Sequence, residues 1–468
     1  MKLYAAPLNF RSIAEEFEVP TEFSPDLHES AAAAIDRFAN QRRDARDIPF
    51  VTIDPPGSKD LDQAVFIEKS SSKNNAGYIV QYAIADVAAF IGPESPLREE
   101  SLKRGQTIYL PDEPARLHPE ELSEGSASLL PNVDRPAVLW TFQLDSYGDV
   151  EDVRVERAMI HSVARLDYDG VQEDLSQGRI HPSIEHLPEV GRLRQVSSLR
   201  RQAINLRLPS VRVDQLDDGR YELRIEPRHP IMDYNSEISL LTGMVAGQLM
   251  EKANKGFLRT LRPANAESEQ TFSTEVQALG FELGDMPIGE FLSSIDADTP
   301  RGMAVMREAQ KLLRGSGYVW LGSQDPEVHA GIGGYYSHVT APLRRLIDRY
   351  ATEVCLAISG GYEIPQWVIE DASQVIKTMG RTSQLANTVD RACLKLTEAT
   401  VLQPWVGHNF DGVVLLTDTA RSTCRIFVND PPVFAESLGH PAEGTETKFS
   451  LIRADIVGRE VAFAWPAD

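Results

Sequence analysis

The chain reads as an α+β protein. A mixed β-sheet or barrel with packed helices follows a small N-terminal helical module and precedes a small β-barrel of the oligonucleotide-binding (OB-fold) type. Three observations predict this. Strand-like runs (Phe50 to Ile53, Ala64 to Ile67, Tyr78 to Ala85, Ala137 to Leu144) crowd the first third, helical periodicity fills the middle, and short strands return after Pro404. The 468 residues suffice for about three domains, and the changes of texture place them at 1–45, 46–403 and 404–468.

Phe10, Ile13, Ala14 and Phe17 fall at helical spacing until Pro20 ends the pattern, and a second pattern runs from Pro25 through Ala31 to Phe38. The pair fits a helix-turn-helix or simple helical packing. Residues 92–125 are loop-rich, and helical periodicity returns from His186 to Leu206. A hairpin is expected where Arg220 to Ile225 alternates after the turn Asp217-Asp218-Gly219. Leu343, Leu346, Ile347, Tyr350 and Val354 form one helical stripe, and Val368 to Leu396 supplies one or two further helices. The short strands Gly412 to Leu415, Thr423 to Val428, Lys448 to Ile456 and Glu460 to Phe463 suit a five-stranded barrel.

The charge excludes some classes of function. Forty-seven Lys and Arg against sixty-nine Asp and Glu give a net charge of −22, which opposes coating of nucleic acid or anionic membrane by the general surface. Cys355, Cys393 and Cys424 form no CxxC pair, so the expectation is reduced, buried thiols and neither a zinc site nor a disulfide framework. Glu15, Glu16 and Glu18 stand where a signal peptide needs an apolar run, and Ile238 to Met250 is too short to span a bilayer. A soluble, cytoplasmic protein without membrane contact is expected.

The most informative stretch is Asp54-Pro55-Pro56-Gly57-Ser58-Lys59-Asp60-Leu61-Asp62-Gln63. A strand ends at Asp54, a tight turn follows, and Asp60 and Asp62 lie two residues apart, on one face of the next strand. Three carboxylates converging there suit Mg²⁺ or Mn²⁺, which can serve phosphodiester cleavage; a solvated acidic turn is the alternative. Farther on, Thr340 and Pro342 suit the first turn of a helix whose N-terminus and Arg344 favour a phosphate. Alternatively Arg344, Arg345 and Arg349 form a solvated face paired with Asp348. Between Gly191 and Val213, Arg192, Arg194, Arg200, Arg201, Arg207 and Arg212 occur without an acid. That island fits a phosphate-contacting strip or a solvated helix face.

Together these stretches resemble the ribonuclease II family of RNB-domain exoribonucleases, which includes ribonuclease R. The family signature runs TIDP, DLDDA, IADV and Y-x-H-F-T-S-P-I-R-R-Y-x-D-L. Here it stands as Thr52-Ile53-Asp54-Pro55, Asp60-Leu61-Asp62-Gln63-Ala64, Ile84-Ala85-Asp86-Val87 and Tyr336 through Arg349. Tyr109-Leu110-Pro111, Ala164 to Tyr168 and Glu226-Pro227-Arg228 also resemble it, and the likeness covers about residues 46 to 400.

The resemblance implies a narrow channel for single-stranded RNA with a free 3′ end, and processive Mg²⁺-dependent 3′→5′ hydrolysis to nucleoside 5′-monophosphates, with Mn²⁺ as a substitute ion. Asp54 and Asp60 take the roles of direct metal ligands, Asp62 that of a ligand or water-orienting group, and Arg344 that of scissile-phosphate stabiliser. Tyr109 is similar to the clamp that stacks on the 3′ end, while Tyr168 and Glu237 match positions lining the terminal nucleotides. Asp390, before Arg391, stands where the family has Glu-Arg, and Arg345 joins the RNA contacts. His338 reads as structural.

The departures matter as well. The signature's fourth Asp is Gln63, whose amide is left to hold a metal-bound water. Leu346 replaces a Tyr, and Gly243 stands where the family has Asn, which loosens that wall. The last domain resembles an S1 domain, and a short helical module is expected in place of N-terminal cold-shock domains. A monomer is expected. Two rival readings remain at this point: a catalytically impaired RNA-binding protein of the same fold, supported by Gln63, and a DNA-binding protein using the N-terminal helices.

Overall fold

A computed structural model describes residues 4–5, 8–70, 77–207, 210–226, 228–313, 315–323 and 325–466. Pro227 of the Glu226-Pro227-Arg228 stretch and the side chain of Arg200 in the arginine island lie outside the described residues.

The chain opens with α1 (Arg11–Glu16) and α2 (Pro25–Ala32). Phe10, Ile13 and Ala14 pack with residues of the C-terminal domain, whereas Ala31 packs with the first strands. The two helices therefore serve separate cores and do not form the paired unit of a helix-turn-helix.

Five strands follow: β1 (Arg43–Asp54), β2 (Gln63–Lys69), β3 (Tyr78–Ala85), β4 (Asp134–Leu144) and β5 (Val150–Asp167), with α3 (Pro96–Arg104) between β3 and β4. They pair in sequence order and close into a barrel through parallel pairing of β5 with β1. Their alternation is that of a sheet buried on both faces. Val51, Ile53, Val65, Val80, Tyr82, Trp140 and Phe142 join one core; Phe50, Ala64, Ala83, Ala85, Ala137 and Leu139 join another. The helix α3 was not expected in this loop-rich span. Ser95 caps it by accepting from Leu97 N at 3.3 Å, and Pro96 occupies its first position.

The middle contains α4 (Tyr168–Ser176), α5 (Leu187–Arg200), the expected hairpin as β6 (Val211–Gln215) and β7 (Tyr221–Ile225), and the long helix α6 (Pro230–Ala253). A second ribbon, β8 (Gly256–Thr260) with β9 (Gly317–Leu321), brackets α7 (Ala266–Ala278), α8 (Ile288–Ser294) and α9 (Pro300–Ala309). Then come α10 (Leu346–Gly360), buried from Leu346 to Ala357, and α11 (Gln366–Leu402), one helix of 37 residues.

The chain ends in β10 (Asn409–Asp418), β11 (Thr423–Asn429), β12 (Pro432–Leu438), β13 (Glu446–Asp455) and β14 (Glu460–Ala464). They form a second closed barrel in the order β10-β11-β12-β14-β13. Pro431 and Pro432 hid β12 from sequence reading, because proline usually breaks strands; here Pro432 opens the strand, opposite Asn429. All three cysteines are free and buried. Among the described residues no helix is long and apolar enough to cross a membrane.

The arginine island is only in part solvent-facing. Arg194 is buried and donates to Gly148 O at 2.7 Å. Arg207 donates to the carbonyls of Leu292 and Ile295, Arg201 donates to Ser197 Oγ at 2.6 Å, and Arg212 pairs with Asp214 at 2.8 Å. Arg194 and Arg207 thus join elements of the fold to one another, while Arg192 is exposed.

Candidate active site

The site lies where the first barrel's parallel seam ends. Asp54 is the last residue of β1 and pairs in register with Asp167, the last of β5. Pro55-Pro56-Gly57 then turns the chain, with Ser58 N donating to Pro55 O at 3.2 Å and Gly57 at φ +86°.

The next segment is pinned before β2 begins. Ser128 Oγ accepts from Leu61 N at 2.9 Å and donates to Lys59 O at 2.6 Å, while Leu129 N donates to Leu61 O at 3.0 Å. Leu61 is fully buried in the core. Asp60 and Asp62 precede β2 and do not open it as expected; with Leu61 held in the core, both come near Arg344, and Asp60 near Asp54.

The electrostatics reflect three acids gathered in a partly dry place. Burial and the neighbouring Asp60 push Asp54 up to about 7, against the pull of Arg344 and Arg165. Asp60 is raised by burial and by Glu124, although hydrogen bonding, including that from Tyr109, and Arg344 oppose this. Asp62, 5% exposed, is held well above the usual carboxylate range by burial. It is also anchored: Oδ1 accepts from Leu343 N at 2.8 Å and Oδ2 lies 3.8 Å from Arg344 Nε. Asp54 Oδ2 is buried without a hydrogen-bond partner.

Arg344 sits in a turn and not in a helix. The expected helix start at Thr340 is displaced to Leu346, because Arg345 is extended and bridges Gln106. Thr107 N donates to Arg344 O at 3.0 Å and Leu346 N to Gly105 O at 2.8 Å. Asp348 closes the turn by accepting from Ala341 N at 2.7 Å and from Arg345 at 2.8 and 3.0 Å. Arg345, expected among the RNA contacts, is thus engaged by Asp348. The Arg344 side chain remains 42% exposed beside Asp62.

The segment 105–109 that contacts this turn also carries Tyr109, whose ring is half exposed and whose Oη donates to Asp60 Oδ2 at 3.4 Å. Burial raises its phenol pKa, and so does the adjacent Asp60. Tyr168 accepts from Asn235 Nδ2 at 3.1 Å and feels the charges of Asp54 and Arg344. Glu237 is buried on α6, raised by burial and opposed by Arg194 and Arg201. Asp390 is exposed on α11, where burial of its carboxyl raises it and Arg391 opposes this. His338 is bonded through Nδ1 to Tyr318 Oη at 2.9 Å, and burial among Arg345, Arg259 and Arg344 keeps it neutral. Gly243 does not loosen the wall: a Cβ there would overlap the Tyr336 ring, and Ser337 N donates to Gly243 O at 2.9 Å.

Gln63 Nε2 donates to Thr340 O at 2.7 Å and its Oε1 accepts from Tyr82 Oη at 2.6 Å. The amide expected to face a metal-bound water is thus engaged by protein groups. Sequence reading assigned no role to Arg165, Ser128, Asn235 or Tyr82. Arg165 reaches Asp54 only because β5 pairs in parallel with β1, a long-range pairing that local pattern does not show.

Among the described residues no group of three or more His, Cys, Asp or Glu side chains is arranged to hold a metal ion. The donor set nonetheless fits one hard cation. Asp54 and Asp60 repel each other, Asp54 Oδ2 lacks a partner, and both are oxygen donors of the kind Mg²⁺ takes singly or in pairs.

Two closed barrels joined by buried helices, with an acidic site and an arginine at the end of the first, define a two-barrel α+β protein built around an oxygen-only site. Residues 42–357 match the RNB domain, and residues 408–465 match the RNase II-type exonuclease C-terminal S1 domain. The chain belongs to the RNB family. It is 28% identical to ribonuclease R of Escherichia coli (strain K12) over 433 residues, which is 85% of this chain and 51% of that protein. It is 26% identical to ribonuclease R of Chlamydia trachomatis over 419 residues, 86% of this chain and 58% of that protein. The chain spans about half the length of such relatives. The solved structure of Mycoplasma genitalium RNase R in complex with ribose methylated single-stranded RNA matches with a TM-score of 0.87 at 18% identity, covering 97% of this chain and 77% of that one. Yeast Ssd1, a pseudonuclease, matches with a TM-score of 0.71 at 15% identity, covering 95% and 58%. At such identities the likeness is one of fold.

Proposed function

We propose that the protein is a processive, Mg²⁺-dependent 3′→5′ exoribonuclease that hydrolyses single-stranded RNA to nucleoside 5′-monophosphates. The observation that carries this reading is the convergence of Asp54, Asp60 and Asp62 on Arg344 beneath the half-exposed Tyr109. The match to ribonuclease R proteins over most of the chain supports it.

Asp54 and Asp60 would hold the divalent cation, which when bound supplies charge neutralisation and lowers the pKa of water. Arg344 is exposed enough to fork onto the scissile phosphate and stabilise charge developing there. Asp62, anchored through Oδ1 by Leu343 N, has Oδ2 left to orient the attacking water. Attack at phosphorus breaks the bond to the 3′-oxygen of the preceding nucleotide, that oxygen takes a proton, and the departing nucleoside keeps a 5′-phosphate. Tyr109 offers an aromatic face that stacks on any base, as degradation of mixed sequence requires.

Incubation of the protein with a 5′-labelled single-stranded RNA and Mg²⁺ tests this. The expected result is progressive shortening from the 3′ end with release of mononucleotides. A mobility shift without shortening supports the rival reading of an RNA-binding protein with an inactive site.

A further inference from the structure

We propose that Gln63 is a positioning residue for Arg344 and that the site takes one divalent cation to which Gln63 contributes no ligand. This rests on the exoribonuclease reading for its kinetic readout only.

The segment Asp62-Gln63 grips the turn that carries Arg344 at two points. Asp62 Oδ1 accepts from Leu343 N at 2.8 Å, and Gln63 Nε2 donates to Thr340 O at 2.7 Å. The second contact demands a donor. Thr340 O is a carbonyl and can only accept, so an ionised carboxylate at position 63 would face it with an oxygen and repel it. The amide is also oriented from its other end. Oε1 accepts from Tyr82 Oη at 2.6 Å, and Ser239 Oγ lies 2.7 Å from that hydroxyl and 3.3 Å from Oε1. Tyr82 is itself buried in the barrel core. The one atom of Gln63 able to face a cation therefore already receives a hydroxyl hydrogen.

A strand residue anchored on Tyr82 thus holds the Thr340–Arg344 turn at a fixed distance from the carboxylates. Where the family signature places a fourth acid, this chain has a neutral clamp. The cation's protein donors are then the carboxylates of the cluster, of which Asp54 Oδ2 is buried without a hydrogen-bond partner.

The test is a titration of the RNA-free protein with Mn²⁺, read by electron paramagnetic resonance of the free ion, together with steady-state kinetics on a single-stranded RNA. Wild type should bind one Mn²⁺ per chain, and Asp60→Asn should lose it. Gln63→Leu should bind Mn²⁺ with unchanged stoichiometry and affinity while kcat falls about 10²-fold at unchanged KM, as misplacement of a phosphate-binding group costs. Gln63→Asp should show the same kinetic loss and no second ion. Tyr82→Phe, which removes only the hydroxyl, gives the same pattern at smaller size and serves where Gln63→Leu does not fold.

Two Mn²⁺ per wild-type chain, or a Gln63→Leu affinity for Mn²⁺ lowered about 10-fold or more as for groups that tune a metal's ligands, would overturn the proposal. So would full activity of Gln63→Asp. Absence of RNA cleavage by a wild type that binds one Mn²⁺ independently of Gln63 would instead contradict the exoribonuclease reading.

Discussion

The molecule contains two closed barrels of five strands, and they solve the same closure problem with different outcomes. Each includes one parallel pairing, β1 with β5 in the first and β12 with β14 in the second. In the first, the pairing runs out at Asp54 opposite Asp167, and the chain leaves through Pro55-Pro56-Gly57 into Asp60 and Asp62. In the second it runs out at Leu438 opposite Ala464, with no acid at the last pair. The second barrel buries Phe449, Phe463, Ile426 and Val433 beside α1 and α11. Closure is a property of the backbone; chemistry is placed by what stands where a seam ends.

A large difference between the barrels should appear on removing Arg344. Arg344→Ala is expected to lower kcat about 10²- to 10³-fold, as does removal of a group that stabilises developing charge, with little change in the melting temperature because the side chain is half exposed. Comparable activity in wild type and variant would remove the catalytic role from the first barrel's end.

A smaller effect is expected at Tyr109. Tyr109→Ala should weaken binding by about 1–3 kcal/mol, the contribution of one stacked base, read as a rise in KM for short RNAs. Loss in kcat at constant KM would instead place Tyr109 with the carboxylates through its contact with Asp60.

The smallest effect concerns an acid on the second barrel's side. Glu398 lies near the end of α11, the helix packed against β13 and β14, and burial pushes it from 4.5 up to about 8, although Lys395 opposes this. The folded state therefore holds a proton that the unfolded state releases near pH 4.5. The contribution of Glu398 to stability must fall as pH rises from about 4.5 to 8 and level off above. Glu398→Gln should make that slope shallower and stabilise the protein at pH 9 relative to wild type, measured by denaturant unfolding. An unchanged slope would show that Glu398 is already ionised in the fold.

Much of this arrangement was legible in the sequence because its signals are local. The strand-turn-strand run from Thr52 to Ala64 shows where three acids converge, since alternation and a Pro-Pro-Gly turn act over a few residues. The α+β class and the terminal barrel followed from strand texture. What escaped was decided across the chain. The helix start moved from Thr340 to Leu346 because residues 105–107 pair with the preceding turn. Two arginines of the island, Arg194 and Arg207, point inward because carbonyls at Gly148, Leu292 and Ile295 come to meet them. Gly243 read as a gap and proved to be a close approach, since its neighbour Tyr336 is 93 residues away. Gln63 was read against the family signature as a lost charge, and its donor role became visible only with Thr340 beside it.

The account separates cleavage, at the first barrel's acidic end, from retention of the strand by surfaces around it. Asp62→Asn tests this most directly, with RNA binding and RNA cleavage measured on one labelled single strand. Asp62 lies against Arg344 and Leu343 N at the centre of the site, so the expected result is cleavage lost by more than about 10³-fold with affinity within a few-fold of wild type. Cleavage by Asp62→Asn at the wild-type rate would contradict the account.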